Sequence, residues 1–182
     1  MNQTGQQFNP AMVSRTYTDS QWQLKEDWYV QQVQSINIPA SPGPADLANV
    51  ACAIERVLSI ARLDMSYVEQ NYNRFQLLVK LQESILYTGL GSIQGMKLTV
   101  AERESYVKAH LNKDPYNGGT LTLYQLREKS DARYVFLKGV IAALIDKKDL
   151  LITHSSAIKA EATLNNYSPS APQQQNYAGQ QP

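Results

Sequence analysis

Residues 44–88 read PADLANVACAIERVLSIARLDMSYVEQNYNRFQLLVKLQESILYT, and apolar side chains recur along this stretch in steps of three and four. No glycine or proline follows Pro44 within it. This spacing places the apolar side chains on one face of an α-helix, as in a coiled coil. The stretch therefore predicts one long helix with a single apolar seam. That seam comprises Val50, Ile54, Val57, Ala61, Met65, Val68, Tyr72, Phe75, Val79 and Leu86.

A second stretch of similar length, residues 121–164, predicts a partner for this helix. Thr122 and Gln125 have the spacing of a capping box at its start. Lys148 and Ser155 interrupt its seam, and a polar seam residue can fix register at a cost in stability. The alternative is that Lys148 snorkels: its aliphatic chain packs along the seam while its ammonium stays in solvent. The seam comprises Ser130, Tyr134, Leu137, Ile141, Leu144, Lys148, Leu151, Ser155, Ile158 and Ala162.

The connector between these stretches contains helix-stop and turn signals. Residues 89–95 (GLGSIQG) predict the end of the first helix, because glycine readily adopts the left-handed conformation. Thr99 and Glu102 form a capping box for a short helix over residues 100–111. Residues 114–119 (DPYNGG) predict a turn. The expected apolar face of the short helix consists of Tyr106, Val107 and Leu111. The predicted fold is all-α: a long antiparallel, coiled-coil-like helical hairpin with a short helix in its connector.

A short amphipathic helix is predicted over residues 19–36, with Ser20 and Gln23 as its capping box. Both tryptophans of the chain lie in it. One interpretation is a helix that docks on the hairpin. The other is a linear motif whose aromatic side chains anchor in a partner's groove. The partner-binding residues would then be Trp22, Trp28 and Tyr29.

The remaining segments predict a linker and two tails. Residues 37–43 contain prolines and a glycine and read as a linker. Residues 1–18 and 166–182 are rich in Gln, Asn, Ser and Pro, and such segments bury too little apolar surface to fold. We expect both to be disordered, which leaves residues 44–165 for the hairpin.

Composition argues against several classes of function. The net charge is +1, from 17 Lys and Arg against 16 Asp and Glu, so no strongly basic fold is indicated. A lone cysteine, Cys52, excludes an intrachain disulfide. No apolar run approaches the ~20 residues that span a bilayer, and no signal peptide is visible. His110 and His154 lack ligand spacing for a metal. We expect a cytoplasmic protein, not an enzyme, with no metal, cofactor, membrane or small-molecule substrate.

Nucleic-acid binding is the more substantial hypothesis. The second long helix carries seven Lys and Arg and five Asp and Glu, a net charge of +2. Proteins that bind single strands combine cations with aromatic stacking platforms. The competing interpretation is that the aromatic residues of the seams belong to the core. The candidate phosphate-binding residues are Arg127, Arg133, Lys138 and Lys147.

Two segments carry a resemblance to a known group of proteins. Residues 98–104 (LTVAERE) and 143–161 (ALIDKKDLLITHSSAIKAE) resemble small helical-hairpin proteins encoded by bacteriophages, in which a T-V-A-E-R segment joins two helices. A weaker, architectural similarity links the chain to phage recombination mediators. The Trp-containing N-terminal segment and the Gln-rich tail depart from the small proteins.

The resemblance implies a non-enzymatic phage accessory protein in the host cytoplasm. We expect it to form a homo-oligomer and to bind single-stranded DNA or a DNA replication or recombination partner. The alternatives are a virion assembly protein, located in the virion, and a small module that binds a host protein.

Overall fold

The structure, a computed structural model, describes residues 9–10, 18–91 and 98–166 of the chain. Within these ranges the secondary structure is helical, with no strand. The predicted disorder of residues 1–18 and 166–182 concerns segments that lie almost wholly outside the described residues. The all-α prediction is confirmed.

Two long helices, α2 (Pro44–Gly91) and α4 (Leu123–Asn166), form the predicted antiparallel hairpin. Three cross-helix contacts fix the direction. Lys148 reaches Glu55 near the open end. Tyr72 stacks on Tyr134 in the middle, with ring centroids 4.7 Å apart. Tyr124 donates a hydrogen bond to Glu83 near the connector.

The predicted seams are the buried faces of both helices. All ten seam residues of α2 are buried or partly buried, and Ile54 and Ala61 are fully buried. The α4 seam is buried or partly buried from Ser130 to Ile158, whereas Ala162 is exposed because it lies beyond the start of α2. Burial of each large apolar side chain contributes about 1.5–3 kcal/mol. Periodicity alone missed Leu58 and Val140, which widen the stripe beyond a strict coiled-coil seam.

Lys148 does not sit in the core despite its seam position. Its ammonium reaches the Glu55 carboxylate at 2.5 Å, and both side chains remain about half exposed. The snorkelling interpretation is therefore correct, with a surface ion pair added. The Lys148 ammonium holds the pKa of the Glu55 carboxyl below its ordinary value.

Two shorter helices pack on the hairpin at different positions along it. The helix α1 (Asp19–Ser35) packs against the first half of α2 and lies along residues 129–147 of α4. The helix α3 (Val100–Lys113) lies near the connector, against the last turns of α2 and the start of α4. The core is accordingly divided into a larger cluster that includes α1 and a smaller one around Val79, Leu123 and Tyr124.

Local hydrogen bonds define the helix starts. The capping boxes Thr99–Glu102 and Thr122–Gln125 are confirmed, since each threonine hydroxyl accepts from the backbone N–H three residues on at 3.3 Å. The predicted Ser20–Gln23 box is wrong. Thr18 caps α1, with Gln21 as its reciprocal partner. Thr18–Gln21 and Ser20–Gln23 have the same three-residue spacing. Capping by the earlier pair starts the helix about half a turn sooner than predicted.

The connector differs from its prediction in detail. The helix α2 continues to Gly91, past the expected stop at Gly89, and residues 92–97 lie outside the described residues. The predicted turn is confirmed, with positive φ at Asn117 (50°) and Gly118 (71°). Tyr106 was expected on the packed face of α3, but it is 52% exposed.

The described helices are too short or too polar to cross a membrane.

The Tyr124–Glu83 hydrogen bond yields a stability prediction. Burial and the Glu83 carboxylate raise the pKa of Tyr124 to about 12 from 10.0. A group whose pKa is raised by folding stabilises the fold at every pH below its unfolded-state pKa. That stabilisation is lost as the pH rises through its folded-state pKa. Replacing Tyr124 with Phe should lower the free energy of unfolding by about 1–2 kcal/mol below pH 10, and by less at pH 12. Urea unfolding of both proteins measures the difference.

Tyr106→Phe is the matched control, because this phenol is half-exposed. Equal stability of Tyr124→Phe and the unmodified chain below pH 10 would contradict the prediction.

Candidate interaction site: α1 docked on the cations of α4

A buried ion pair joins α1 to α2. Lys25 Nζ lies 3.0 Å from Asp64 Oδ2, and both side chains are fully buried. The Tyr29 hydroxyl donates to the same oxygen at 2.6 Å. Lys25 Nζ also donates to the Pro10 carbonyl at 2.5 Å. Charges out of water are tolerated only when paired and hydrogen-bonded, so this network fixes the position of α1.

Aromatic rings surround the Lys25 ammonium. Nζ lies 5.3 Å from the Trp28 ring centroid and 5.4 Å from that of Tyr29, within cation–π range. The two rings meet edge to face at 4.9 Å. Burial lowers the pKa of Lys25 below its ordinary value, against the opposing effect of the Asp64 carboxylate.

The two ends of α1 are held by cations of α4. At its start, Asp19 pairs with Lys129 and with Arg133, whose Nη2 is 3.0 Å away. At its end, Lys147 Nζ donates to the Ile36 carbonyl at 2.6 Å. Cations favour the carbonyl end of a helix because its dipole is negative there. These contacts align α1 parallel to α4, and we call Lys129, Arg133 and Lys147 the α1-facing cations.

The contact at Asp19 is on the surface. The Asp19 side chain is 69% exposed, while those of Lys129 and Arg133 are 30% and 21% exposed. The Lys129 ammonium, aided by Arg133, holds the pKa of the Asp19 carboxyl below its ordinary value. Exposed ion pairs contribute little to stability. The Arg133 guanidinium also lies over the Trp22 ring, 5.0 Å from its centroid.

The structure places the three predicted partner-binding residues inside the docked helix. Trp22 is 5% exposed and Tyr29 is fully buried in the larger core cluster. Trp28 is partly buried against the same cluster. Trp22 and Tyr29 therefore cannot fill a partner's groove while α1 is docked, and the docked-helix alternative describes this structure.

The four predicted phosphate-binding residues fall into two pairs. Arg133 and Lys147 contact α1. Arg127 and Lys138 lie elsewhere on α4, over the rings of Tyr124 (4.8 Å) and Tyr134 (5.5 Å). We call this second pair the ring-stacked cations. Over residues 18–91 and 98–166, neither of them is ion-paired.

The geometry of the ring-stacked cations is simple. They are eleven residues apart, three helical turns, so they share a face of α4 about 16 Å apart along the axis. Arg127 is partly buried and Lys138 is exposed. Both charged groups are thus held by aromatic faces near the surface.

An apolar stripe lies on the outer face of α2. Leu77, Leu81 and Ile85 are spaced four apart and are 68%, 54% and 54% exposed. We call these three residues the α2 stripe. Large side chains exposed in a row are typical of contact surfaces.

An open groove of about 480 Å³ lies between the end of α2 and α3. Glu83, Glu104 and Lys108 contribute its charged lining. Its lining includes neither histidine nor cysteine. Within the described ranges, no three His, Cys, Asp or Glu side chains are close enough to hold a metal ion.

Sequence reasoning missed Lys25, Asp64 and Lys129. A signal for Lys25 existed, because Trp22, Lys25 and Tyr29 are spaced three and four apart and so share one helical face. Asp64 directly precedes the seam residue Met65. A single charged residue beside a seam is typical of a solvent-facing position, so its burial could not be predicted. The pairing itself has no signature in either segment alone.

Comparison of the chain with models of protein families, with curated proteins and with solved structures finds no match.

The buried pair predicts strong coupling between two substitutions. Lys25→Met or Asp64→Leu alone strands a buried charge and should destabilise the docking of α1 by about 3–5 kcal/mol. The double variant removes both charges, so it should destabilise the docking of α1 by much less than the sum of the two single substitutions. Both tryptophans lie in α1, so tryptophan fluorescence during urea unfolding reports α1, while circular dichroism reports the whole fold.

Val79→Ala serves as the control, since it leaves a cavity in the other core cluster. Additive effects of the two single substitutions would show that the pair does not hold α1.

Proposed function

We propose that this chain is a non-enzymatic accessory protein of phage DNA metabolism that self-associates and binds single-stranded DNA. The observation that supports DNA binding most directly is the pair of ring-stacked cations, Arg127 and Lys138. Each places a positive charge over a tyrosine ring on one face of α4.

Single-strand binding needs cations that neutralise phosphates and release counterions. The rings of Tyr124 and Tyr134 orient these two cations and do not stack on bases, because Tyr124 is 7% exposed and Tyr134 stacks on Tyr72. A separation of about 16 Å along α4 suits contact with separate phosphates of one extended strand. The resemblance of residues 98–104 and 143–161 to phage helical-hairpin proteins supports the same setting.

Self-association is supported by the α2 stripe. A homodimer contact uses the same patch on both copies, and Leu77, Leu81 and Ile85 form an exposed apolar row that a second copy would cover. Repetition of the hairpin would also multiply a modest charge into a longer cationic surface. A virion assembly protein is the second candidate function, favoured by this stripe alone.

The DNA-binding proposal predicts a specific salt dependence. The double variant Arg127→Ala, Lys138→Ala should bind a fluorescent oligothymidine more weakly. The slope of log affinity against log salt should be shallower by about 1.4, since each lost phosphate contact on a single strand contributes about 0.7. Fluorescence anisotropy between about 50 and 200 mM salt measures both quantities.

The control is Lys108→Ala, Lys113→Ala, which removes the same charge from α3. An equal loss in both double variants would indicate non-specific attraction. Absence of DNA binding at low salt by the unmodified chain would contradict the proposal and favour the assembly function.

The self-association proposal predicts a change of mass. Leu77→Gln, Leu81→Gln should reduce an oligomer towards the 20.4 kDa monomer, because polar side chains remove the apolar area that holds the copies together. Light scattering at several concentrations measures the mass.

Leu150→Gln is the control, because Leu150 is 50% exposed on α4, away from the stripe. A monomeric unmodified chain at every concentration, or an oligomer unaffected by the stripe variant, would contradict the prediction.

A further inference from the structure

We propose that the α1-facing cations of α4 form a second binding surface for the phosphates of single-stranded DNA, and that α1 occupies this surface until the strand displaces it. The inference rests on the proposed function and adds a site and its control to it. Lys129 and Lys147 are eighteen positions apart on α4, about 27 Å along the axis, and Arg133 lies between them.

The groups that now contact these cations are weaker partners than phosphate. The Asp19 carboxylate forms ion pairs with Lys129 and Arg133, and the Ile36 carbonyl accepts a hydrogen bond from Lys147. Asp19 is largely exposed, so its ion pairs are screened and individually weak. A phosphate offers an arginine the same two-oxygen geometry as a carboxylate, and it offers Lys147 a full charge in place of a carbonyl dipole.

Displacement of α1 is compatible with an intact hairpin. Eight residues, 36–43, separate α1 from α2, and at about 3.4 Å per residue they span up to about 27 Å. Between Tyr72 and Glu83, α2 contacts α4 directly through the Tyr72–Tyr134 stack and the Tyr124–Glu83 hydrogen bond. Neither contact involves α1.

The core beneath α1 sets the energy of the displacement. Tyr29 and Trp22 must leave the larger cluster, which opposes release. Release also returns Lys25 and Asp64 to water, and rehydration of a buried ion pair offsets much of the attraction that is lost. A helix held partly by ionic groups is therefore easier to displace by a polyanion than one held by apolar contacts alone.

Displacement would also uncover rings beside the cations. Arg133 now lies over Trp22, and Phe136 lies near Tyr29, with ring centroids 6.4 Å apart. Phe136 belongs to α4 and would stay with the hairpin when α1 leaves. The uncovered face would combine three cations with an aromatic ring, the combination that single-strand binders use.

The test uses full-length chains in which α1 is loosened without any change to the α4 cations. Tyr29→Ala removes the hydrogen bond to Asp64 and a fully buried ring. We expect it to bind oligothymidine about tenfold more tightly at low salt, because a larger fraction of the chain is competent to bind. Its salt slope should equal that of the unmodified chain, because both make the same phosphate contacts once α1 is displaced. Val79→Ala, an equally buried position in the other cluster, should leave the affinity unchanged.

A second variant leaves the core untouched. Asp19→Asn removes the carboxylate that competes with phosphate, and Asp27→Asn makes the same charge change at an exposed site on α1. Asp19→Asn should raise the affinity severalfold more than Asp27→Asn. Adding Lys129→Gln, Arg133→Gln and Lys147→Gln to Tyr29→Ala should abolish its gain.

Hydrogen exchange supplies a readout that does not depend on affinity. Addition of oligothymidine to the unmodified chain should speed exchange in α1 and leave the seam of α2 and α4 protected.

The outcomes separate this inference from the proposed function. If the chain binds DNA but Tyr29→Ala and Asp19→Asn bind no more tightly than their controls, the inference is wrong and the proposed function stands. Slower exchange in α1 on DNA binding would also overturn it. If no variant binds DNA at low salt, both are wrong.

Discussion

The antiparallel contact between α2 and α4 is the constraint on which the rest of the structure depends. Two helices of 48 and 44 residues each bury one stripe against the other. Helices of this length owe their stability to such packing more than to intrinsic propensity. The contact also determines which parts of each helix are left open, because a two-helix seam covers only one face of each. The shorter helices cover some of that open surface, and the α2 stripe remains uncovered.

The two regions of the hairpin that the short helices cover differ in chemistry. At the connector end, α3 and the start of α4 close a small apolar cluster with one tyrosine–glutamate hydrogen bond. Along residues 129–147 of α4, α1 combines a large apolar cluster with a fully buried ion pair and peripheral contacts to three cations. Burial of ionic groups costs free energy, and their return to water recovers much of it. Of the two short helices, α1 is therefore the one suited to displacement by another ligand. The proposed displacement of α1 by a polyanion follows from this difference.

The positive charge of α4 has two roles that the linear sequence does not distinguish. Arg133 and Lys147 hold α1, while Arg127 and Lys138 lie over tyrosine rings on another face. A net charge of +1 for the whole chain therefore hides an arrangement in which some cations are internally used and others are available. The available cations are the basis of the proposed DNA contacts, which the proposed self-association would multiply.

The sequence by itself determined the helices and the seams. Steps of three and four along residues 44–88 and 121–164 predicted the buried faces, and two of the three proposed capping boxes were correct, because these features depend on residues within a few positions of one another. The third box failed since Thr18 and Ser20 offer equivalent local chemistry. Only the tertiary structure decided that Lys25 pairs with Asp64, 39 positions away, and that α1 covers Arg133 and Lys147. Those contacts depend on how α1 crosses the hairpin, and no periodicity in either segment encodes that placement.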